Sequence, residues 1–334
     1  MWAVQNETAY AVERTWVRDQ DGMHHWVVVV KATFEFKPDG TLGLADEQLD
    51  PLHVPEYFGD PGRSSLRYEA DLIGPKPGTD VIVNAHAHAA GGRPIREVGV
   101  SLRIGELQKT LLVRGQSRYS FGMTGLRVTE PAPFVTHPIR YESAYGGSDM
   151  LDDEPKRHRI DARNPVGVGI AQHAAHLHGR VAPSVFYPRG DPAKIGPAGF
   201  GAIASYWSPR REVAGTYDQR WAAHKRPLLP DDYDPTHLLC SPVDQRAQPR
   251  LRGGERIGLV NLTPEGALEF ELPRVVFAAT TRISRRSVEH GFELASVVIE
   301  PEQRRLIMTW QSALLVRAPE VDDLRVSRIR EVRS

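Results

Sequence analysis

Trp26-Val27-Val28-Val29-Val30-Lys31-Ala32-Thr33-Phe34-Glu35-Phe36-Lys37 begins as an unbroken apolar run and passes into strict alternation. Four successive valines favour extended backbone, because two heavy atoms on Cβ crowd a helical turn and fit a pleated surface. From Lys31 onward the period is two, which sets Ala32, Phe34 and Phe36 on one face and Lys31, Thr33, Glu35 and Lys37 on the other. The stretch reads as a β-strand, with Pro38-Asp39-Gly40 as the turn that ends it. Upstream, Gln5–Val17 followed by Asp19-Gln20-Asp21-Gly22 reads as its hairpin partner.

Similar patterns place strands at Ser65–Ile73, Thr79–Ala89, Val98–Ile104, Gln108–Arg114 and Arg140–Tyr145, with Gly105 as a tight turn. The final third offers Arg256–Leu262, Ala267–Leu272, Arg274–Arg282, Phe292–Glu300, Arg304–Trp310 and Ala313–Arg317. Leu268, Phe270 and Leu272 alternate with Glu269 and Glu271, as in a half-buried antiparallel strand. Between these β-rich ends, Gly146 to Pro209 is rich in Gly, Pro, His and Ala and has little periodicity. It reads as irregular chain draped over a β core, or as an interaction surface. Thr216–Ala223 is the best short helix, with Thr216 as its N-cap.

The expected fold is mainly β: antiparallel sandwich-like lobes, an irregular Gly/Pro-rich middle segment and few short helices. The expected organisation is an N-terminal β lobe over 1–145, an irregular segment with a short helix over 146–255, and a C-terminal β region over 256–334 packing on the first lobe. A single large domain is the alternative. Gly (29) and Pro (26) reach about 16% of 334 residues, against roughly 12% on average, and such a chain turns often.

Lys plus Arg (42) equals Asp plus Glu (42). A zero net charge argues against a nucleic-acid binder, which carries a basic excess to displace phosphate counterions, and against a polybasic membrane anchor. The longest apolar run is far short of the ~20 residues that cross a bilayer. One cysteine, Cys240, permits neither an internal disulfide nor a thiolate zinc cluster. The opening Met1–Glu7 has neither the basic nor the apolar region of a secretory leader, so a cytoplasmic location is expected.

Histidine is the obvious chemistry to weigh. His86 and His88 share one strand face, and His173, His176 and His178 form a second cluster. Neither has a specific zinc signature, and neither has a carboxylate beside it in the sequence to orient a ligand. No nucleophile elbow or phosphate loop is present, and Gly167-Val168-Gly169 and Gly199-Phe200-Gly201 are too short for a dinucleotide fingerprint. Cys240 with His237 three residues upstream reads as a buried small residue rather than a thiolate–imidazole pair. Asp231-Asp232-Tyr233-Asp234 reads as a solvated acidic turn without calcium-loop spacing. No catalytic residue, metal ligand or cofactor is therefore expected.

The densest aromatic stretch runs from Tyr206-Trp207-Ser208-Pro209-Arg210-Arg211 to Tyr217-Asp218-Gln219-Arg220-Trp221. Trp, Tyr and Arg are enriched at interface hot spots, so Trp207, Arg210, Tyr217 and Trp221 are the candidate partner-binding residues. The competing reading makes the aromatics core, with arginine stems packed over them.

These residues lie in a chain that resembles an uncharacterised bacterial family, domain of unknown function 2169. The resemblance runs through Trp2–Thr8, Val27–Phe36, Ser65–Leu72, Lys76–Val81, Tyr141–Gly147 and Arg163–Gly167. It continues through Gly199–Trp221, Leu229–Asp234, Pro242–Gln245 and Leu251–Glu255. The resemblance implies a role beside type VI secretion: a cytoplasmic adaptor or chaperone that binds a secreted effector protein and helps load it on the spike or spike tip. It carries over no catalytic residues. Two alternatives stand beside it. One is a metal-dependent hydrolase or sugar-active enzyme on a β-sandwich, using His86, His88 or the second cluster; the other is a passive structural component of the secretion machine.

Overall fold

His24–Phe36 is buried on both faces for most of its length, and this places it at the centre of the protein. In the computed structural model, which describes residues 2–37, 41–123 and 125–332, it pairs on one side with Ala11–Arg18 and on the other with Arg305–Val316. Both pairings are antiparallel; the first is the expected hairpin, but shorter than Gln5–Val17, because Gln5 and Asn6 pair instead with Leu324–Val332 in another sheet. The turn expected at Pro38-Asp39-Gly40 lies outside the described residues.

The sheet built on this strand has seven strands. Its order is Arg246–Ala247, Thr79–Val83, Glu293–Glu300, Arg305–Val316, His24–Phe36, Ala11–Arg18, with Leu42–Leu44 added to the end of His24–Phe36. Only Thr79–Val83 with Glu293–Glu300 is parallel. A five-stranded antiparallel sheet follows the order Val185–Phe186, Leu107–Arg114, Glu97–Ile104, Arg256–Val260, Ala267–Glu271. A four-stranded sheet runs Ala3–Asn6, Leu324–Val332, Val276–Ile283, Arg286–Gly291. The whole is 43% strand and 11% helix, with only short helices. No helix among the described residues is long and apolar enough to cross a membrane.

The two faces of the central strand differ. Trp26, Val28, Val30, Ala32, Phe34 and Phe36 belong to the main hydrophobic core. There Tyr10, Phe277 and Trp310 meet edge to face, as do Phe36 and Phe270. On the opposite face, Lys31 reaches Asp71 at 2.8 Å and Thr33 is held by Gln48. That polar face lies under irregular chain, which explains why Lys31 and Thr33 are buried.

Several local expectations give way. Arg140–Tyr145 is mostly a turn of 3-10 helix at Tyr141–Ser143, where the Glu142 carboxylate accepts from the Ser65 N–H and hydroxyl. Within Ser65–Ile73 only Leu66–Tyr68 is strand, and Thr79–Ala89 breaks into Thr79–Val83 and His86–His88. Arg304–Trp310 and Ala313–Arg317 are one strand, Arg305–Val316. The intervening Gln311 and Ser312 are buried and hydrogen-bonded to Lys76, Asp71 and His290. The short helix starts later than expected: Asp218 is its N-cap, and Thr216 binds Asp232 instead.

In the middle segment no strand exceeds two residues, and specific side chains fix the path. Asn164, fully buried, donates to the carbonyls of Tyr141 and Tyr145. Gly147, at φ +93°, packs so closely on the Gly167 carbonyl that an added Cβ would lie 2.2 Å from its oxygen. Two stretches far apart in sequence, Tyr141–Gly147 and Arg163–Gly167, are thereby locked together.

His290 links two of the sheets. Its ring lies 2.7 Å from the Thr281 hydroxyl and 2.5 Å from that of Ser312. Burial holds its pKa down at about 4, so it is neutral in the fold at pH 7. A folded pKa below the ordinary 6.5 means that stability is complete above pH 6.5 and is lost as pH falls toward 4. The loss should reach about 3 kcal/mol. Denaturant titrations of wild type and His290→Gln at several pH values check this: the wild-type slope in that window should exceed the variant's.

Candidate partner-binding surface

The irregular layer is fastened to the seven-stranded sheet by buried charge. Asp80, on Thr79–Val83, accepts from Lys76 Nζ at 2.8 Å, from the Ser241 N–H and hydroxyl at 2.8 and 2.7 Å, and from the Cys240 N–H at 3.0 Å. Burial pushes its pKa up, but the Lys76 ammonium and these hydrogen bonds outweigh it and leave the carboxyl at about 2. Gln245 spans the Val81 and Phe200 carbonyls and accepts from Lys109 Nζ at 2.7 Å. These contacts seat the loop from Cys240 to Gln245 on the sheet.

Trp207 and Arg210 belong to the same fastening. Trp207 is fully buried, edge to face with Tyr141 at 5.7 Å. Arg210 is 3% exposed; its guanidinium donates to Glu69 Oε2 at 2.6 Å and to the carbonyls of Ile203 and His237. Neither side chain presents a surface to a partner, so the core reading of the aromatic–arginine stretch describes this half of it.

Beyond Arg210 the chain leaves the core. Gly215, at φ +86°, turns it against Pro230, and Asp232 takes the Thr216 N–H and hydroxyl at 2.9 and 2.7 Å. Asp218 caps the helix Gln219–His224 by accepting from the Trp221 N–H at 2.8 Å. This helix has no buried residue. Tyr217 is 54% exposed and meets half-buried Trp221 edge to face at 4.8 Å; the Trp221 indole donates to the Leu228 carbonyl. Beside them is a groove of about 610 Å³ whose lining includes Trp221, Arg220, His224 and Pro230. A short helix is not stable on propensity alone, and here caps and cross-loop bonds hold it while its aromatic pair stays partly wet. That arrangement suits contact with another protein.

The remaining sequence candidates have partners within the chain. Asp231 pairs with Lys225, and Asp234 caps Pro235–Leu238. His237 Nδ1 contacts the Arg210 carbonyl, while the Cys240 thiol lies 3.4 Å from Asp80, and burial raises its pKa. Folding does bring a carboxylate to each histidine cluster, contrary to the expectation from sequence neighbours. Glu302 Oε1 lies 3.1 Å from His86 Nδ1 and 3.2 Å from His88 Nε2. Asp149 lies 2.6 Å from His176 Nδ1, whereas His178 Nδ1 accepts from the Phe121 N–H. Among the described residues no group of three His, Cys, Asp or Glu is arranged to hold a metal ion.

A family profile described as an uncharacterized protein conserved in bacteria, DUF2169, matches residues 21–311. The chain belongs to DUF2169. No curated protein and no solved structure matches it. Several stretches of the DUF2169 resemblance, Lys76–Val81, Tyr141–Gly147, Arg163–Gly167 and Pro242–Gln245, supply the buried fastenings described above. Gly199–Trp221 runs from core to surface, ending in exposed Tyr217 and half-buried Trp221.

Proposed function

We propose that this DUF2169 chain is a cytoplasmic adaptor or chaperone of bacterial type VI secretion, which binds a secreted effector protein and helps load it on the spike or its tip. The observation that carries the reading is the edge-to-face pair of exposed Tyr217 and half-buried Trp221, at the start of a short helix none of whose residues is fully buried. Solvent-facing aromatics on a braced loop offer large contact area at little further entropy cost. The resemblance to an effector-loading family supplies the partner class, and the balanced charge fits a protein partner better than nucleic acid or membrane. On this reading the chain binds and releases; it performs no turnover and needs no metal or cofactor.

The test is co-purification with each secreted protein encoded beside it, and with the spike. One such protein should be retained at a stoichiometric level, and the adaptor should stay in the cell when that protein is exported. Retention of none of them, or export of the chain as a fixed part of the spike, contradicts the proposal.

A further inference from the structure

A second groove, of about 680 Å³, lies where Leu107–Arg114 and Val185–Phe186 meet the hairpin formed by Tyr119–Gly122 and Gly125–Val128. Its lining includes Tyr119, Tyr145, Phe186, Pro131, Pro183 and Pro192. Gly169, at φ +109°, marks where three of these converge: a Cβ there would lie 3.1 Å from Tyr145, 3.2 Å from Pro183 and 3.2 Å from the Tyr119 hydroxyl. Among the described residues neither the Tyr119 nor the Tyr145 hydroxyl has a hydrogen-bond partner. Part-buried phenols usually find one, and here both line an open groove.

Charge narrows the occupant. The lining carries three carboxylates, Glu97, Glu130 and Asp191, against one guanidinium, Arg114. Arg114 is paired with Glu97 at 2.6 Å and lies over the Phe186 ring, and Glu130 is met by Arg96. Asp191 caps Pro192–Ile195 and has no ion-pair partner among the described residues.

We propose that this groove binds an extended proline-rich segment of a protein partner, flanked by an arginine or lysine. A polyproline II helix has no internal hydrogen bonds, so its carbonyls are open to phenol donors while its rings pack on tyrosine and phenylalanine faces. The surplus carboxylate, Asp191, selects the flanking cation. The groove shares no lining residue with the groove beside Trp221, so this inference does not depend on the function proposed above.

The test is fluorescence polarisation on the full chain with synthetic decapeptides of P-x-x-P spacing. An arginine-flanked peptide should bind about tenfold tighter than its glutamate-flanked counterpart and about tenfold tighter than one with alanine for each proline. Tyr119→Phe and Tyr145→Phe, which keep the rings, should each weaken it about fivefold with the melting temperature unchanged. Asp191→Asn, which retains the cap, should reduce the preference for arginine. The proposal is overturned by no binding of the arginine-flanked peptide, by equal binding of either comparison peptide, or by binding that both tyrosine variants leave intact.

Discussion

Asp80→Ala should destabilise the protein by ~3–5 kcal/mol, read from the shift of its urea unfolding midpoint, because it leaves a buried ammonium without its partner. Lys76 is 5% exposed, and the Cys240 and Ser241 N–H groups would lose their acceptor in the same step. The same pair makes an acid prediction. The folded carboxyl titrates at about 2, below its ordinary 3.8. Its contribution is therefore complete above pH 3.8 and is lost as pH falls toward 2. This should remove about 2 kcal/mol from wild type and nothing from the variant. An Asp80→Ala midpoint close to wild type would show that the irregular layer is held by something else.

Trp207→Ala and Arg210→Ala should each cost ~3–5 kcal/mol of stability, the first through a large cavity beside Tyr141, the second by stranding Glu69. Arg210→Met combined with Glu69→Leu should recover much of the second loss, because it removes both charges together. Single substitutions at these two positions that left the melting temperature unchanged and only weakened partner capture would instead assign them to the contact surface. Their expected loss of stability separates them from Tyr217 and Trp221.

Strands with clear periodicity were legible in the sequence. Leu107–Arg114 and Glu97–Ile104 differ from expectation by a residue at one end, and Ala267–Glu271 ends one residue early. Arg286–Gly291 carries no apolar alternation because it is a largely exposed edge strand. Leu324–Val332 spaces its apolar residues unevenly, at 324, 326, 329 and 332, and its pairing contains a register irregularity at Arg282/Ile283. Gln311 and Ser312 looked like a gap because inward-facing polar side chains resemble a turn until their partners are known. The middle segment was legible only as irregular. Its path depends on Asn164, Asp80, Arg210 and Gln245, whose partners lie up to 164 residues away. The four candidate residues illustrate the limit: composition marks them as one stretch, whereas Trp207 and Arg210 are buried, Trp221 is half-buried and Tyr217 is exposed.

Effector binding through Tyr217 and Trp221 is measured by equilibrium binding of the retained effector to wild type, Tyr217→Ala and Tyr217→Ala/Trp221→Ala, with a melting temperature for each. Truncating buried interface aromatics costs ~2 kcal/mol or more, so the double variant should bind at least about thirtyfold more weakly while melting near wild type. Full-strength binding by the folded double variant would contradict the account.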